Sequence, residues 1–421
     1  MNYNDKNILI ISHNPLSRVN NNGKTLASIF DGVPYENIYQ IYLNTDIPDF
    51  SKESHYLQIN ERQILISIIN LKNKCCQEVE ATPNDVSSAK IKKRNFANHT
   101  KRLLRECICK ISLWKSELSE WLKDKHFDVV FFMAGDGMFA YDVYRFVMKN
   151  IKVKGCLFFT DDYIIGKTSF SPVALLRQLL LKRKMKATLK ITNELYVISE
   201  EMKQAYEKIF DISGYVIRNF SVERSNEISF QSRKSEDSIV MVYAGGLHYN
   251  RWKVLVQIAN ELKSINQVNK VKCQMKIYSS QNISENITDQ MNVEGVSFFM
   301  GGASASEISS IYADADILLH VESFEKKAIA STKYSFSTKI PEYLSAGKCI
   351  FAVGPSEVAS LRYLSDFACT VSESEALPSV LEKLINDNDY RELIRSNCEK
   401  QYETDFSRKK QEDCLRRIVS V

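Results

Sequence analysis

The stretch of the chain richest in chemistry runs Ser335-Phe336-Ser337-Thr338-Lys339-Ile340-Pro341-Glu342-Tyr343-Leu344-Ser345-Ala346-Gly347-Lys348. Ser337 or Thr338 can cap a helix with Pro341 in its first turn, a favoured place for proline. Gly347 can supply the left-handed residue that ends it. Such a short helix points its first N–H groups out of a sheet edge, where they favour an anion such as a diphosphate. Lys339 adds a cation, and the two oxygens of Glu342 can accept both hydroxyls of a ribose.

A second candidate follows the apolar run 239–243, where Ala244-Gly245-Gly246 precedes Leu247-His248-Tyr249-Asn250-Arg251. Small residues after a strand let a ligand approach the backbone. Arg251 adds a cation at a helix start, a position that solvated arginines also occupy. A third is the strand and glycine turn at 296–302, which contains Gly301. Behind it, a helix leads into Ala313-Asp314-Ala315-Asp316-Ile317-Leu318-Leu319-His320-Val321-Glu322.

The segment around Glu342 resembles the donor-binding signature of GT-B glycosyltransferases, in particular the retaining "group 1" family of bacterial polysaccharide synthesis, where a Ser/Thr-Lys pair precedes a Glu-Tyr-Leu-Ala-Ala-Gly-Lys-Pro-type run. The resemblance implies that Glu342 holds the nucleotide ribose. It places Gly245, Gly246, Arg251, Gly301, Ser337, Thr338, Lys339 and Ile340 around the donor, with Arg251 and Lys339 as the catalytic cations on the diphosphate. Gly246 stands where the family has arginine and Arg251 where it has lysine, so one cation is missing and Lys339 is expected to compensate. Many members carry another glutamate about two turns earlier. Glu322 and Glu325 lie 20 and 17 positions before Glu342, separated from it by an insertion. Asp314-x-Asp316 mimics the metal-binding pair of a different glycosyltransferase fold, but helix-end capping explains it better. Neither a metal nor a cofactor is expected, the nucleotide sugar being a substrate.

In the first half, Asn22-Gly23-Lys24-Thr25 carries the Gly-Lys-Thr of a phosphate-binding P-loop, but Arg18 occupies the place of its first glycine. A P-loop triphosphatase is therefore a weak alternative. The GT-B reading makes His13, Asn22, Gly23, Lys24, Asp161 and Asp162 the acceptor side. A retaining enzyme needs no protein base, because the leaving diphosphate can take the acceptor's proton. An inverting one would draw on Asp136, Asp161 or Asp162. A GT-B-like partner subunit without activity and a nucleotide-sugar epimerase are further alternatives.

These residues need strands to carry them. Apolar runs at 7–11, 129–133, 156–159, 194–198 and 215–217, then at 239–243, 274–278, 296–299, 317–321 and 349–353, alternate with helical patterns, and from 375 the chain reads as helix to its end. The rhythm predicts an α/β protein of two doubly wound Rossmann-like domains facing a central cleft: 1–222 for the acceptor, a linker at 223–237, 238–400 for the nucleotide sugar, and a C-terminal helix at 401–421 that packs back on the first domain.

Ten cysteines without an export signal are expected to stay reduced, and their spacing offers no zinc set. No apolar run is long enough to span a membrane. Residues 1–230 are net +7 and the remainder net −2. Residues 90–110 hold eight basic side chains and one acid, and 177–190 hold six and none, both interleaved with leucines. That pattern suits an anionic membrane surface, where a lipid-linked glycan acceptor would sit, against the plainer reading of solvated helix faces packed by their leucines. The expectation is a cytoplasmic enzyme of capsule or O-antigen type, peripheral on the inner membrane face and without a nucleic-acid partner.

Overall fold

A computed structural model describes residues 3–18, 21–70, 73–82, 99–109, 114–165, 171–220 and 238–420. The expected linker and much of the basic stretch 90–110 lie outside these. The chain divides into two compact units, one of residues 1–219 with 411–421 and one of 220–410.

The first unit is built on eight strands: β1 (Ile8–Ser12), β2 (Ile38–Tyr42), β3 (His55–Ile59), β4 (Cys76–Glu78), β5 (Val129–Ala134), β6 (Lys154–Phe159), β7 (Glu194–Val197) and β8 (Gly214–Val216). Their order is β4-β3-β2-β1-β5-β6-β7-β8, parallel except that β4 runs antiparallel to β3. β1 and β5 are buried along their whole length, as parallel strands covered on both faces must be. The short edge strand β4 is thus the one antiparallel member among the described strands, and three strands are additional to those read from apolar runs. In β2 the pattern is broken by Gln40, fully buried at mid-strand. Its amide donates to Ser12 Oγ (2.8 Å) and the Asn14 carbonyl (3.1 Å), and accepts from Leu16 N–H (2.8 Å). A polar residue inside a strand thus fixes the loop that leaves β1.

The second unit contains β9 (Ser238–Ala244), β10 (Lys272–Tyr278), β11 (Ser297–Gly301), β12 (Ile317–Val321), β13 (Cys349–Val353) and β14 (Cys369–Val371). Their order, β11-β10-β9-β12-β13-β14, is the 3-2-1-4-5-6 order of a Rossmann sheet, and every pair is parallel. The order reverses between β9 and β12, which opens a crevice beyond their carboxyl ends. β1 and β5 make the equivalent reversal in the first unit.

The C-terminal residues form three helices rather than a continuous one: Leu377–Asn386, Asn388–Asp405 and Arg408–Val419. Asp387 starts the second by accepting from Tyr390 N–H at 2.8 Å, a side-chain cap that interrupts the helical run. In the last helix, buried Gln411 donates to the Ser28 and Asp31 carbonyls (2.8 and 2.9 Å). Lys154 donates to the Arg417 and Ser420 carbonyls, both at 2.8 Å. Leu415 and Ile418 are fully buried. Leu415→Ala is expected to cost the first unit about 2–5 kcal/mol, the usual range for a buried leucine. Urea unfolding followed by tryptophan fluorescence measures it, since Trp114 and Trp121 belong to that unit.

Candidate functional site

The crevice beyond β9 and β12 gathers side chains from four segments of the second unit. Arg251 opens the helix Arg251–Val268, Glu322 follows β12, Lys339 opens the helix Lys339–Ser345, and Tyr243 lies near the end of β9. The Arg251 guanidinium grips Glu322 through Nε (3.1 Å to Oε2) and Nη2 (2.9 and 2.7 Å to Oε1 and Oε2). Nη1 has no hydrogen-bond partner among the described residues. Glu322 is 4% exposed. Burial alone would raise its pKa, but contact with His320 and the charge of Arg251 outweigh that and hold it below the ordinary 4.5. Buried His320, with Nε2 at 3.5 Å from Glu322, is kept below 6.5 mainly by burial and is neutral at pH 7.

Lys339 places its ammonium 5.3 Å from the centre of the Tyr243 ring. A Cβ on Gly245 would stand 1.5 Å from that Nζ, so the glycine supplies the space the lysine occupies. Burial, and then the like charge of Arg251, bring the Lys339 pKa down to about 8. Tyr243 also donates to the Gly246 carbonyl at 2.7 Å, which fixes the glycine turn. The turn continues through Tyr249 and Asn250, both left-handed (φ 58° and 61°), a strained pair for residues with side chains. Glu325 holds it by accepting from Asn250 (2.9 Å) and Lys253 (2.8 Å). The two glutamates thus clamp either side of the turn that presents Arg251.

Glu342 is half-buried one turn into the helix Lys339–Ser345, which Gly347 ends in the left-handed region (φ 62°). The expected hydroxyl cap does not form. Thr338 has helical dihedrals and makes no capping bond, while Ser337 lends its carbonyl to Ile340 N–H (3.2 Å) and is tethered through its own N–H to Ser360 Oγ (2.9 Å). Ile340 is fully buried and packs the helix rather than facing a ligand. Gly301 ends β11 with φ 78°, and its carbonyl accepts from Ser279 N–H at 2.7 Å. Asp316 accepts from Val240 N–H at 2.7 Å and so anchors the start of β9. Tyr243, His320 and Gly354 were not legible as site residues. A Cβ on Gly354 would come within 2.8 Å of Glu322 Cβ, so β13 must be followed by glycine for Glu322 to sit there.

In the first unit, exposed His13 directly follows β1 and its carbonyl accepts from Leu43 and Asn44 N–H. Asn22, Gly23 and Lys24 lie inside the helix Asn21–Ile29, not in a loop before it. A Cβ on Gly23 would meet the Pro15 carbonyl at 2.4 Å, so this glycine serves helix–loop packing. Asp162 is a loop anchor that accepts from Ile164 and Ile165 N–H (3.0 Å each) and from Tyr206 (3.2 Å), beside exposed Asp161. Asp136, named as a base for an inverting enzyme, is gripped by both terminal nitrogens of Arg102 at 2.7 and 2.6 Å, which leaves it poorly placed to take a proton.

No family model matches the chain, and no curated protein matches it. Solved structures do, over nearly the full length. They include a glycosyltransferase from Rickettsia africae (12% identity, 99% of both chains, TM-score 0.59), the E. coli trehalose-6-phosphate enzyme bound with UDP-2-fluoro glucose (9%, 98% and 99%, 0.61), and WaaG, a glycosyltransferase involved in lipopolysaccharide biosynthesis (14%, 98% and 100%, 0.54). The chain has the GT-B glycosyltransferase fold, two Rossmann-like α/β units.

Breaking a buried ion pair from one side costs about 3–5 kcal/mol. Glu322→Gln is expected to destabilise the second unit by that order at pH 7. Because Glu322 is depressed in the folded state, its contribution is present above pH 4.5 and lost as pH falls through the lower folded value. The gap between variant and wild type should therefore narrow on acidification, which denaturant unfolding across pH 3–7 reads out.

Proposed function

We propose that this chain is a retaining glycosyltransferase that moves a sugar from a nucleotide-sugar donor to a glycan or lipid-linked glycan acceptor at an anionic membrane surface, in surface polysaccharide synthesis. The observation that carries this reading is the pairing of Arg251 and Lys339 at the switch point of a Rossmann sheet, above a glycine turn. Ligands of such sheets bind at that point. The trehalose-6-phosphate enzyme of similar fold carries UDP-2-fluoro glucose, a nucleotide sugar.

In this reading the donor diphosphate lies against the Gly245–Gly246 turn. Glu322 orients the Arg251 guanidinium so that Nη1 faces the leaving group, and Lys339 contributes the second cation. As the bond from sugar to diphosphate breaks, negative charge grows on the leaving oxygens, and fixed cations in a partly dry site stabilise it without reorganising. Glu342 accepts the ribose hydroxyls. The diphosphate takes the acceptor's proton on the same face, consistent with Asp136 and Asp162 being committed to structural bonds.

Lys339 is most useful when protonated, and it loses its proton near pH 8 in the free protein. Donor affinity is expected to hold below that pH and fall above it, and the fall should vanish in Lys339→Ala. Nucleotide-sugar titration by calorimetry from pH 6.5 to about 8.7 tests this, since the diphosphate diester has no group titrating there and the range stops below the ionisation of the nucleobase. Lys339→Ala should also slow turnover by about 10²–10³-fold. Glu342→Gln should weaken donor binding with little change in thermal stability. A chain that binds no nucleotide sugar, or binds one and never releases nucleoside diphosphate, overturns the reading, the second outcome pointing to a binding subunit.

A further inference from the structure

Three helices of the first unit, His99–Ile108, Met138–Asn150 and Pro172–Leu189, form an open pocket of about 240 Å³ lined in part by Leu103, Met138, Leu180, Glu106, Arg145 and Arg183. That is many times the room a single water needs. Its acid is unusual. Glu106 is 4% exposed, and one oxygen accepts from Arg177 (2.9 Å) and Met138 N–H (3.2 Å). The other oxygen, also buried, has no hydrogen-bond partner among the described residues. A buried carboxylate oxygen left in that state calls for a donor.

The basic residues around it fall into two groups. Arg177 and Lys184 are structural, bound to Glu106 and Asp142, and Arg102 is spent on Asp136. The surface charge of the two basic stretches is therefore smaller than their sequence suggests. Arg145 and Arg183 are exposed and make no ion pair among the described residues. Leu104, Leu175, Leu176 and Leu179 on two of the same helices are 46–59% exposed, so these leucines do not pack on the sheet. Lys101, Arg105, Lys182 and Lys186 stand exposed among them.

We propose that this pocket is a headgroup site for an anionic, hydroxyl-bearing phospholipid, with the exposed leucines seated in the bilayer interface. Arg145 and Arg183 take the phosphate, as the planar fork of arginine suits. The free Glu106 oxygen accepts a headgroup hydroxyl. Apolar ridges beside a cationic mouth match a bilayer surface better than a free phosphate ester, which has no use for the leucines. The inference refines the membrane part of the proposed function.

Co-sedimentation with vesicles, without nucleotide, tests it separately from donor binding. The full chain should bind phosphatidylcholine vesicles containing phosphatidylglycerol, more weakly as salt rises, and should ignore pure phosphatidylcholine. Arg145→Gln with Arg183→Gln should lower the affinity about tenfold. Lys182→Gln with Lys186→Gln removes the same charge away from the pocket and should lower it about threefold at most. Arg145→Lys with Arg183→Lys, which keeps charge and controls for folding, should recover only part of the loss, since lysine lacks the planar fork. Leu175→Ser with Leu179→Ser should weaken binding while leaving its salt dependence. Equal loss in the two glutamine pairs means a diffuse charge patch and overturns the site while leaving membrane docking standing. Binding to neutral vesicles, none at low salt, or full displacement by millimolar glycerol phosphate overturns the lipid assignment itself.

Discussion

The second unit turns on the buried pair between Arg251 and Glu322. Neither charge would be stable there alone. Glu322 stays ionised because His320 and Arg251 are beside it, and Arg251 can point into the crevice because Glu322 holds two of its nitrogens. Lys339 is held in a different way, by a space kept empty. Its ammonium lies over Tyr243 against a glycine, with a like charge nearby that weakens its hold on its proton. The result is one cation firmly charged and one near its titration point. A dianionic diphosphate entering between them would relieve the repulsion and strengthen the hold of Lys339 on its proton.

The first unit uses the same physics for a structural end. Glu106, Asp136, Arg102 and Arg177 interlock helices around the carboxyl end of β5. The acid that opens the loop after that strand is consumed in holding it. Similar residue types at equivalent places in two Rossmann sheets thus do different work, and only their partners tell them apart.

Most of the architecture was legible in the sequence because parallel strands buried on both faces are continuous apolar runs. β12 and β13 match such runs residue for residue. The strands that escaped notice depart from that rule. β2 carries a buried glutamine, β3 is interrupted by His55 and Gln58, β4 is a short antiparallel edge, and β14 is only three residues long with Thr370 at its centre. Among the site residues, the segments around Arg251 and Lys339 were legible, since glycine turns and helix starts have local signatures. The partnership of Arg251 with Glu322 was not, because it joins distant segments and depends on Gly354 making room. The hydroxyls at 337 and 338 matched a capping pattern, yet the loop is tied down by Ser360 from further along the chain. The charge of residues 177–190 misled in one respect, since two of its cations find acids on other helices.

The close fit of Lys339 into the space at Gly245 bears on how such a chain can diverge. The two positions lie in different segments, yet they share one volume, so neither can drift alone. A relative that gains a side chain at 245 must shorten or redirect the lysine at 339. One that loses the lysine is released from the need for glycine. Substitutions at these two sites should therefore appear together across a lineage. A descendant with a bulkier residue at 245 and no lysine at 339 has given up this pairing of cations, whatever the rest of its sequence retains.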